Sequence, residues 1–275
     1  MFASTAVPAS SSRVSSRQHP IVRAFRDARD AAAGPTILLD GAHLIREALA
    51  AGVPVQTLLA STHFLSDAPR EDRDVITAAA RSGAEVHEAT AAVLDAASPV
   101  RTSSGVVALA HWLPAPLAEI LTPAPALVVG LLNVQDPGNV GAVIRSADAL
   151  GATGVVALDR TAHPGGWKAL RGAMGSTFRV PVGRDQLLTT LTAARAAGLR
   201  VAATVPHGAA SLDDFDLAQP TLVVLGNEGA GLGDEFDEHI GVTERVSIPM
   251  RKGVESLNVA VSAALMLYEA RRQRG

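Results

Sequence analysis

Three polar stretches of this chain follow apolar runs and carry side chains able to do chemistry. The first is NVQDPGNVGAVIRSA, residues 133–147. Asp136, Pro137 and Gly138 read as a turn, a helix opens around Asn139 to Gly141, and Arg145 falls inside its second turn. The second is LGNEGAGLG, residues 225–233, where Gly226, Gly229, Gly231 and Gly233 allow close backbone approach and Glu228 is the one charge. The third is RKGVESLN, residues 251–258, in which Ser256 and Asn258 flank Leu257. From Leu257 apolar residues recur at helical spacing through Val261, Ala264, Leu265 and Tyr268.

A glycine-bearing helix N-terminus suits an anion, so the first stretch suggests phosphate or nucleotide chemistry. Asp159 ends the next apolar run about where a ribose-binding acid of a dinucleotide fold would stand. The spacing Gly-Asn-Val-Gly nevertheless lacks the G-x-G-x-x-G fingerprint. A P-loop needs Lys and then Ser or Thr after its last glycine, and Leu232 follows Gly231. Taken alone, Ser256 reads as a helix cap and LGNEGAGLG as a plain glycine turn.

The elements that must position these loops alternate. TILLDGAHLIREALAAGVPVQTLLAST reads as strand, helix from about Gly41, and strand after Gly52 and Pro54. A helix near Glu71 to Arg81, a strand near Glu85 to His87, a helix near Ala91 to Ala97 and the strand GVVALAHWL follow, giving a small α/β domain over residues 20–112. Residues 113–126 hold a Pro-rich segment and read as a linker. Residues 127–275 restart with ALVVGLLNV, a run suited to a strand buried on both faces. Strands at GVVALD, FRVPV, LRVAAT, TLVVLG and RVSIPM then alternate with helices near Val140 to Leu150, Asp185 to Ala197 and Leu257 to Arg272. That pattern implies a parallel sheet with helices on both faces, and such sheets bind ligands beyond the carboxyl ends of their strands.

Composition narrows the class. Of 275 residues 48% are hydrophobic, yet no apolar run is long enough for a membrane span. The net charge of -3 argues against a polycationic nucleic-acid coat without excluding an RNA enzyme with a local basic face. Absence of Cys removes disulfides, thiolate metal sites and Cys nucleophiles, and fits a cytoplasmic location. No metal ion is called for. Residues 1–19 are Ser-rich and without acidic groups, and read as a disordered tail.

Together the stretches NVQDPGNVGAVIRSADALG, LVVLGNEGAGL and VSIPMRKGVESLNVAVSAALMLYE resemble the SpoU (TrmH) family of SPOUT RNA ribose methyltransferases. The ordered triple covers residues 127–275; LLDGAHLIREALAAG and SSGVVALA give the first domain a looser likeness to L30e-like RNA substrate-binding domains. The resemblance implies a C-terminal trefoil knot and S-adenosyl-L-methionine as cofactor. It implies methyl transfer to a ribose 2′-hydroxyl, with 23S ribosomal RNA the expected substrate. The alternative is an inactive RNA-binding or ribosome-assembly factor of the same fold.

By the same correspondence Asn139, Arg145, Glu228, Ser256 and Asn258 form the catalytic surface. Thr204, Leu225, Gly226, Asn227, Gly229, Ile248, Met250, Ser256, Leu257 and Asn258 hold the cofactor. Lys168 and Arg171, in HPGGWKALRGAMGSTFRVPV, face RNA, with Arg101 as a further contact. The family likeness also implies a homodimer that completes the active site, with the last helix at the interface.

Overall fold

The short apolar runs separated by glycine and proline fold into two compact units. A computed structural model of the chain describes residues 12–31, 34–227, 232 and 244–275. One unit comprises the chain up to Leu113 together with Gly165–Phe178; the other comprises Pro114–Pro164 and Arg179–Gly275.

The first unit runs β1 (Arg13–Val14), α1 (Pro20–Asp30), β2 (Thr36–Asp40), α2 (Ala42–Ala50), β3 (Val55–Ser61), α3 (Thr62–Asp67), α4 (Arg70–Arg81), β4 (Glu85–Ala89), α5 (Ala91–Ala97) and β5 (Val106–His111). Its sheet order is β1-β4-β3-β5-β2, with β1, β4 and β3 parallel and β5 antiparallel to both neighbours. The disordered-tail expectation fails at Arg13–Val14. Those residues pair with Glu88 and Ala89, and Val14 is buried. Helix α1 was not legible because its fully buried positions are only Val22 and Phe25 in an otherwise polar segment.

The second unit begins with α6 (Leu117–Leu121), β6 (Leu127–Leu132), α7 (Pro137–Leu150) and β7 (Gly154–Leu158). Helix α6 corrects the linker reading of 113–126. Its Ile120 is fully buried, and a Cβ at Gly154 or Gly183 would stand 2.6 or 2.5 Å from Ile120 side-chain carbons. Two glycines in neighbouring strands therefore open the groove that Ile120 fills, and the prolines bound a packed helix rather than a free spacer.

Residues 165–178 then pack within the first unit, where the sequence reading had a contiguous second domain. They form α8 (Trp167–Ala173), which buries Leu170 in the core with Leu44 and Phe64. Gly175 makes this seat possible. It has φ +90, and a Cβ there would lie 2.5 Å from Glu47 Cγ.

The second unit resumes with β8 (Val182–Asp185), α9 (Leu187–Ala196), β9 (Arg200–Thr204), β10 (Ala210–Ser211), β11 (Thr221–Leu225), β12 (Glu244–Ser247) and α10 (Val259–Arg274). The strand expected at FRVPV starts only at Val182, because Ser176–Phe178 form a 3-10 turn and Pro181 has no N–H for a ladder. Among the described residues the sheet order is β10-β12-β9-β11-β6-β7-β8, parallel throughout. Strands β6, β7 and β11 are buried along their whole lengths, as continuous apolar runs require.

Helix α10 is fastened at its C-terminal end by Arg274. The guanidinium donates to the backbone oxygens of Leu217, Pro125, Ala126 and Gln219 at 2.7–3.0 Å. These carbonyls lie just before β6 and β11, so the other end of α10 is directed toward the carboxyl ends of the same strands. Among the described residues no helix is long and apolar enough to cross a membrane.

Candidate active site

Strands β12, β9, β11 and β6 are neighbours and parallel, so their carboxyl ends line up on one edge. Leu225 stands opposite Leu131, which brings the loops after β11 and β6 side by side. The Asn227 side-chain amide donates to the Asn133 backbone oxygen at 3.0 Å and ties them together. Asn133 itself sits at φ 57, a left-handed conformation that Asn tolerates better than most residues, and its Oδ1 accepts from the Arg160 N–H at 3.2 Å. Thr161 adds a buried brace, donating its hydroxyl to Leu131 O at 2.6 Å and accepting from Val134 N–H.

Helix α7 opens two residues earlier than the sequence suggests. Asp136 is its N-cap, accepting from the Gly138 N–H at 2.6 Å, and Pro137 occupies the first turn. Asn139 therefore lies within the first turn. At the start of α10 the cap is Asn258, not Ser256. Its Oδ1 accepts from the Ala260 and Val261 N–H groups at 3.0 and 3.3 Å, while its Nδ2 donates to Asn139 Oδ1 at 3.2 Å. One side chain thus terminates a helix and joins it to a second helix N-terminus. Sequence had shown the two asparagines 119 residues apart, with no sign of contact.

Beside this bridge lies a cavity of about 220 Å³. Thr204, Leu225, Gly226, Asn227, Ile248, Met250, Ser256 and Leu257 line it, all expected cofactor contacts. Asn258 sits between two lining residues, Leu257 and Val259. Glu228 and Gly229 lie outside the described residues. The sequence reading missed Val205, Pro206, Val246, Glu255, Val259 and Ser262. Glu255 and Ser262 could have been found from the register of α10 and its entry loop, but only once the strand order was known.

The lining suits the cofactor by its chemistry. Leu225, Val246, Ile248 and Leu257 offer apolar walls to an adenine, and Thr204, Asn227, Ser256 and Ser262 offer hydrogen bonds to ribose and amino-acid groups. Glu255 places a carboxylate where a ligand bearing ammonium and sulfonium charges can use it.

Arg145 is exposed on α7. Six residues correspond to about 240° of helical turn, so it leaves the helix on a different side from Asn139 and does not bond to it. Lys168 and Arg171 are exposed on α8 in the first unit, and Arg101 is exposed in the loop before β5. The Lys168 ammonium lies 5.4 Å from the Trp167 ring centre. Asn258 therefore joins Asn139 to the rim of the cavity that Ser256 lines, and Arg145 of the same unit is not among its lining residues. Among the described residues no group of three or more His, Asp or Glu side chains could hold a metal ion.

Comparison with known proteins gives the same assignment. Residues 126–268 match the SpoU rRNA Methylase family, and residues 22–108 match the MRM3-like substrate binding domain. The chain is 32% identical to the 23S rRNA (guanosine(2553)-2′-O)-methyltransferase RlmP of Bacillus subtilis, over 86% of this chain and 88% of that one. It is similar to the AdoMet-bound rRNA methyltransferase from Sinorhizobium meliloti, with 30% identity, TM-score 0.83, and 96% and 98% of the two chains covered. The SpoU methyltransferase AviRb from Streptomyces viridochromogenes, solved with AdoMet, gives 30% identity, TM-score 0.80, and 93% and 99% coverage.

A parallel sheet with a mixed polar and apolar cavity at its carboxyl ends, together with these likenesses, defines an S-adenosylmethionine-dependent RNA methyltransferase. Within that class the chain belongs to the SpoU rRNA methylase family.

Proposed function

We propose that the chain methylates a ribose 2′-hydroxyl of 23S ribosomal RNA. The observation that carries this is the Asn258–Asn139 hydrogen bond at the edge of the cofactor cavity, which gives two helix N-termini and a polar rim at one place. Helix N-termini favour negative charge, and negative charge is what a departing hydroxyl proton leaves on oxygen. The relatives' activities on 23S rRNA support the choice of substrate.

S-adenosylmethionine supplies an already electrophilic methyl group, so the chain's task is placement. Asn258 and Asn139 fix the rim; Ser256 lies on the lining where a ribose oxygen can approach. With the cofactor bound, the methyl group would pass to the ribose oxygen, the sulfonium would leave as a neutral thioether, and the hydroxyl proton would go to solvent water. Arg145 carries a planar guanidinium with several N–H donors, so its role is to hold a target phosphate and offset charge on the oxygen. Glu228 belongs to the same proposal as an orienting group.

Homodimerisation is part of the reading. Val261, Leu265 and Tyr268 are 48%, 39% and 62% exposed, and their spacing of four and three residues puts them on one face of α10. Arg145 does not meet Asn139 within one chain, which supports a site completed by a second copy. Leu265→Glu is expected to shift the sedimentation behaviour from dimer to monomer and to reduce turnover. An unchanged dimer would move the interface off this face. The trefoil knot also belongs here, supported by the placement of β11 between β9 and β6, both earlier in the chain.

The test of the reaction is transfer of label from S-adenosyl-[methyl-³H]methionine to protein-free 23S rRNA, followed by digestion to nucleosides. A labelled 2′-O-methyl nucleoside supports the reading. Cofactor binding without label in any RNA would replace it with an inactive RNA-binding or ribosome-assembly factor.

A further inference from the structure

The first unit contains a second, larger cavity, of about 640 Å³, that the methyl-transfer chemistry does not use. Asp40 at the end of β2 and Ser104 contribute from one side; Trp167, Lys168, Arg171 and Met174 contribute from α8 and its end. All belong to the same compact unit.

The lining has an unusual charge pattern. Lys168 and Arg171 are exposed cations, whereas Asp40 is half-buried and accepts from the Ser98 hydroxyl at 2.8 Å. Burial pushes its carboxyl above the usual range, opposed by hydrogen bonds from Ser98 and Ser104 and by the nearby Arg171 charge. A carboxylate has about four lone-pair sites, so these hydroxyls leave it able to accept more. Met174, 42% exposed, is the left-handed C-cap that ends α8, and it adds an apolar side chain to the lining.

A purely acidic ligand would be repelled by Asp40, and a purely basic one by Lys168 and Arg171. A nucleotide matches both, because it pairs a phosphate with a base edge bearing hydrogen-bond donors. Among the four bases, only guanine presents two adjacent donors, the N1–H and the 2-amino group, to the two oxygens of a carboxylate. Single-stranded RNA is commonly read through such splayed-out bases against apolar side chains, here Trp167 and Met174.

We propose that this cavity binds one unpaired guanosine of the RNA substrate, its base edge donating to Asp40 and its phosphate held by Lys168 and Arg171. The proposal rests on the reading that the substrate is RNA, and it adds a base-reading site built on residues other than the methyl-transfer set.

The test is fluorescence anisotropy of the full chain with labelled RNA hexamers of uridine carrying one central G, A, C, U or inosine. The G hexamer is expected to bind about tenfold or more tighter than the others, the scale of one bidentate base contact. Inosine, which lacks the 2-amino group, is expected to lose most of that preference. Asp40→Asn is expected to abolish the preference, so that the G, inosine and U hexamers bind alike. Lys168→Ala and Arg171→Ala are expected to weaken all hexamers alike and to reduce the salt dependence by about one unit of slope each. Equal binding of G, inosine and U by the wild-type chain overturns the proposal whatever the variants do. If 23S rRNA is still methylated in that case, only the guanosine site fails; if no RNA is bound or methylated, the RNA reading itself fails.

Discussion

The two cavities are built from different materials. The one at the carboxyl ends of β11 and β12 is walled by apolar side chains, strand-end backbone and small hydroxyls, and among the described residues Glu255 is its one charged lining group. The one beside α8 sets a carboxylate against a lysine and an arginine. An invariant small-molecule cofactor needs shape and a few fixed polar contacts. A polyanion needs cations for affinity and a base-reading group for selectivity. The contrast extends to their support. Amide hydrogen bonds from Asn258 to Asn139 and from Asn227 to the Asn133 backbone oxygen tie the first cavity's rim, whereas the second is seated through the glycine contact of Gly175 on Glu47.

The sharpest way to break the contrast is at Arg145. Arg145→Ala is expected to lower methyl transfer by a factor of about 10³, the scale of losing a charge-stabilising donor, with cofactor affinity unchanged in a calorimetric titration. A parallel loss of affinity would place this arginine in the cofactor cavity instead.

Arg274 tests the other end of the same scaffold. Its guanidinium bonds four backbone oxygens in part-buried to exposed surroundings, so Arg274→Ala is expected to cost about 1–2 kcal/mol by denaturant unfolding, the scale of lost charge-assisted hydrogen bonds whose acceptors water can reach. A change within error would mean that helix packing alone anchors α10. Asn258→Ala removes a cap and is expected to cost about 1 kcal/mol and to slow turnover, whereas Ser256→Ala should leave stability unchanged.

Asp40 carries the smallest and most specific effect. Its folded-state pKa is raised by burial, so the folded chain holds that proton more tightly than the unfolded chain does. Stability then falls as pH rises from the unfolded carboxylate range through the folded pKa. Asp40→Asn removes this titration and is expected to raise the melting temperature at neutral pH while flattening its decline over that acidic window. A lowered melting temperature at neutral pH would show that the carboxylate is structural.

Much of the first cavity was legible through the resemblance of three stretches to the SpoU family, which assigned its residues, while the apolar runs before them placed two of its loops at strand ends. The runs 127–132 and 221–225 suit strands buried on both faces, and ligand sites follow from where such strands end. What stayed hidden depended on contacts distant in sequence. The Asn139–Asn258 bond needs α7 and α10 packed together, and the capping role passed from Ser256 to Asn258 because the helix starts two residues later than its periodicity suggests. Helix α6 was hidden by prolines that read as a spacer, and its place became evident only when Gly154 and Gly183 were seen to make room for Ile120. The second cavity was illegible for the same reason. Asp40 and Arg171 are separated by most of two domains' worth of sequence, and α8 packs in the first unit despite lying inside the second.

The central claim is that the asparagine bridge beside the smaller cavity is the methyl-transfer site. The most direct measurement is methyl transfer to 23S rRNA by Asn139→Ala, made alongside calorimetric S-adenosylmethionine binding and thermal unfolding of the same preparation. The account predicts a fall in turnover of about 10²-fold or more with cofactor affinity and melting temperature little changed. Turnover equal to that of the wild-type chain, with the cofactor still bound, would remove Asn139 from the active site and contradict the account.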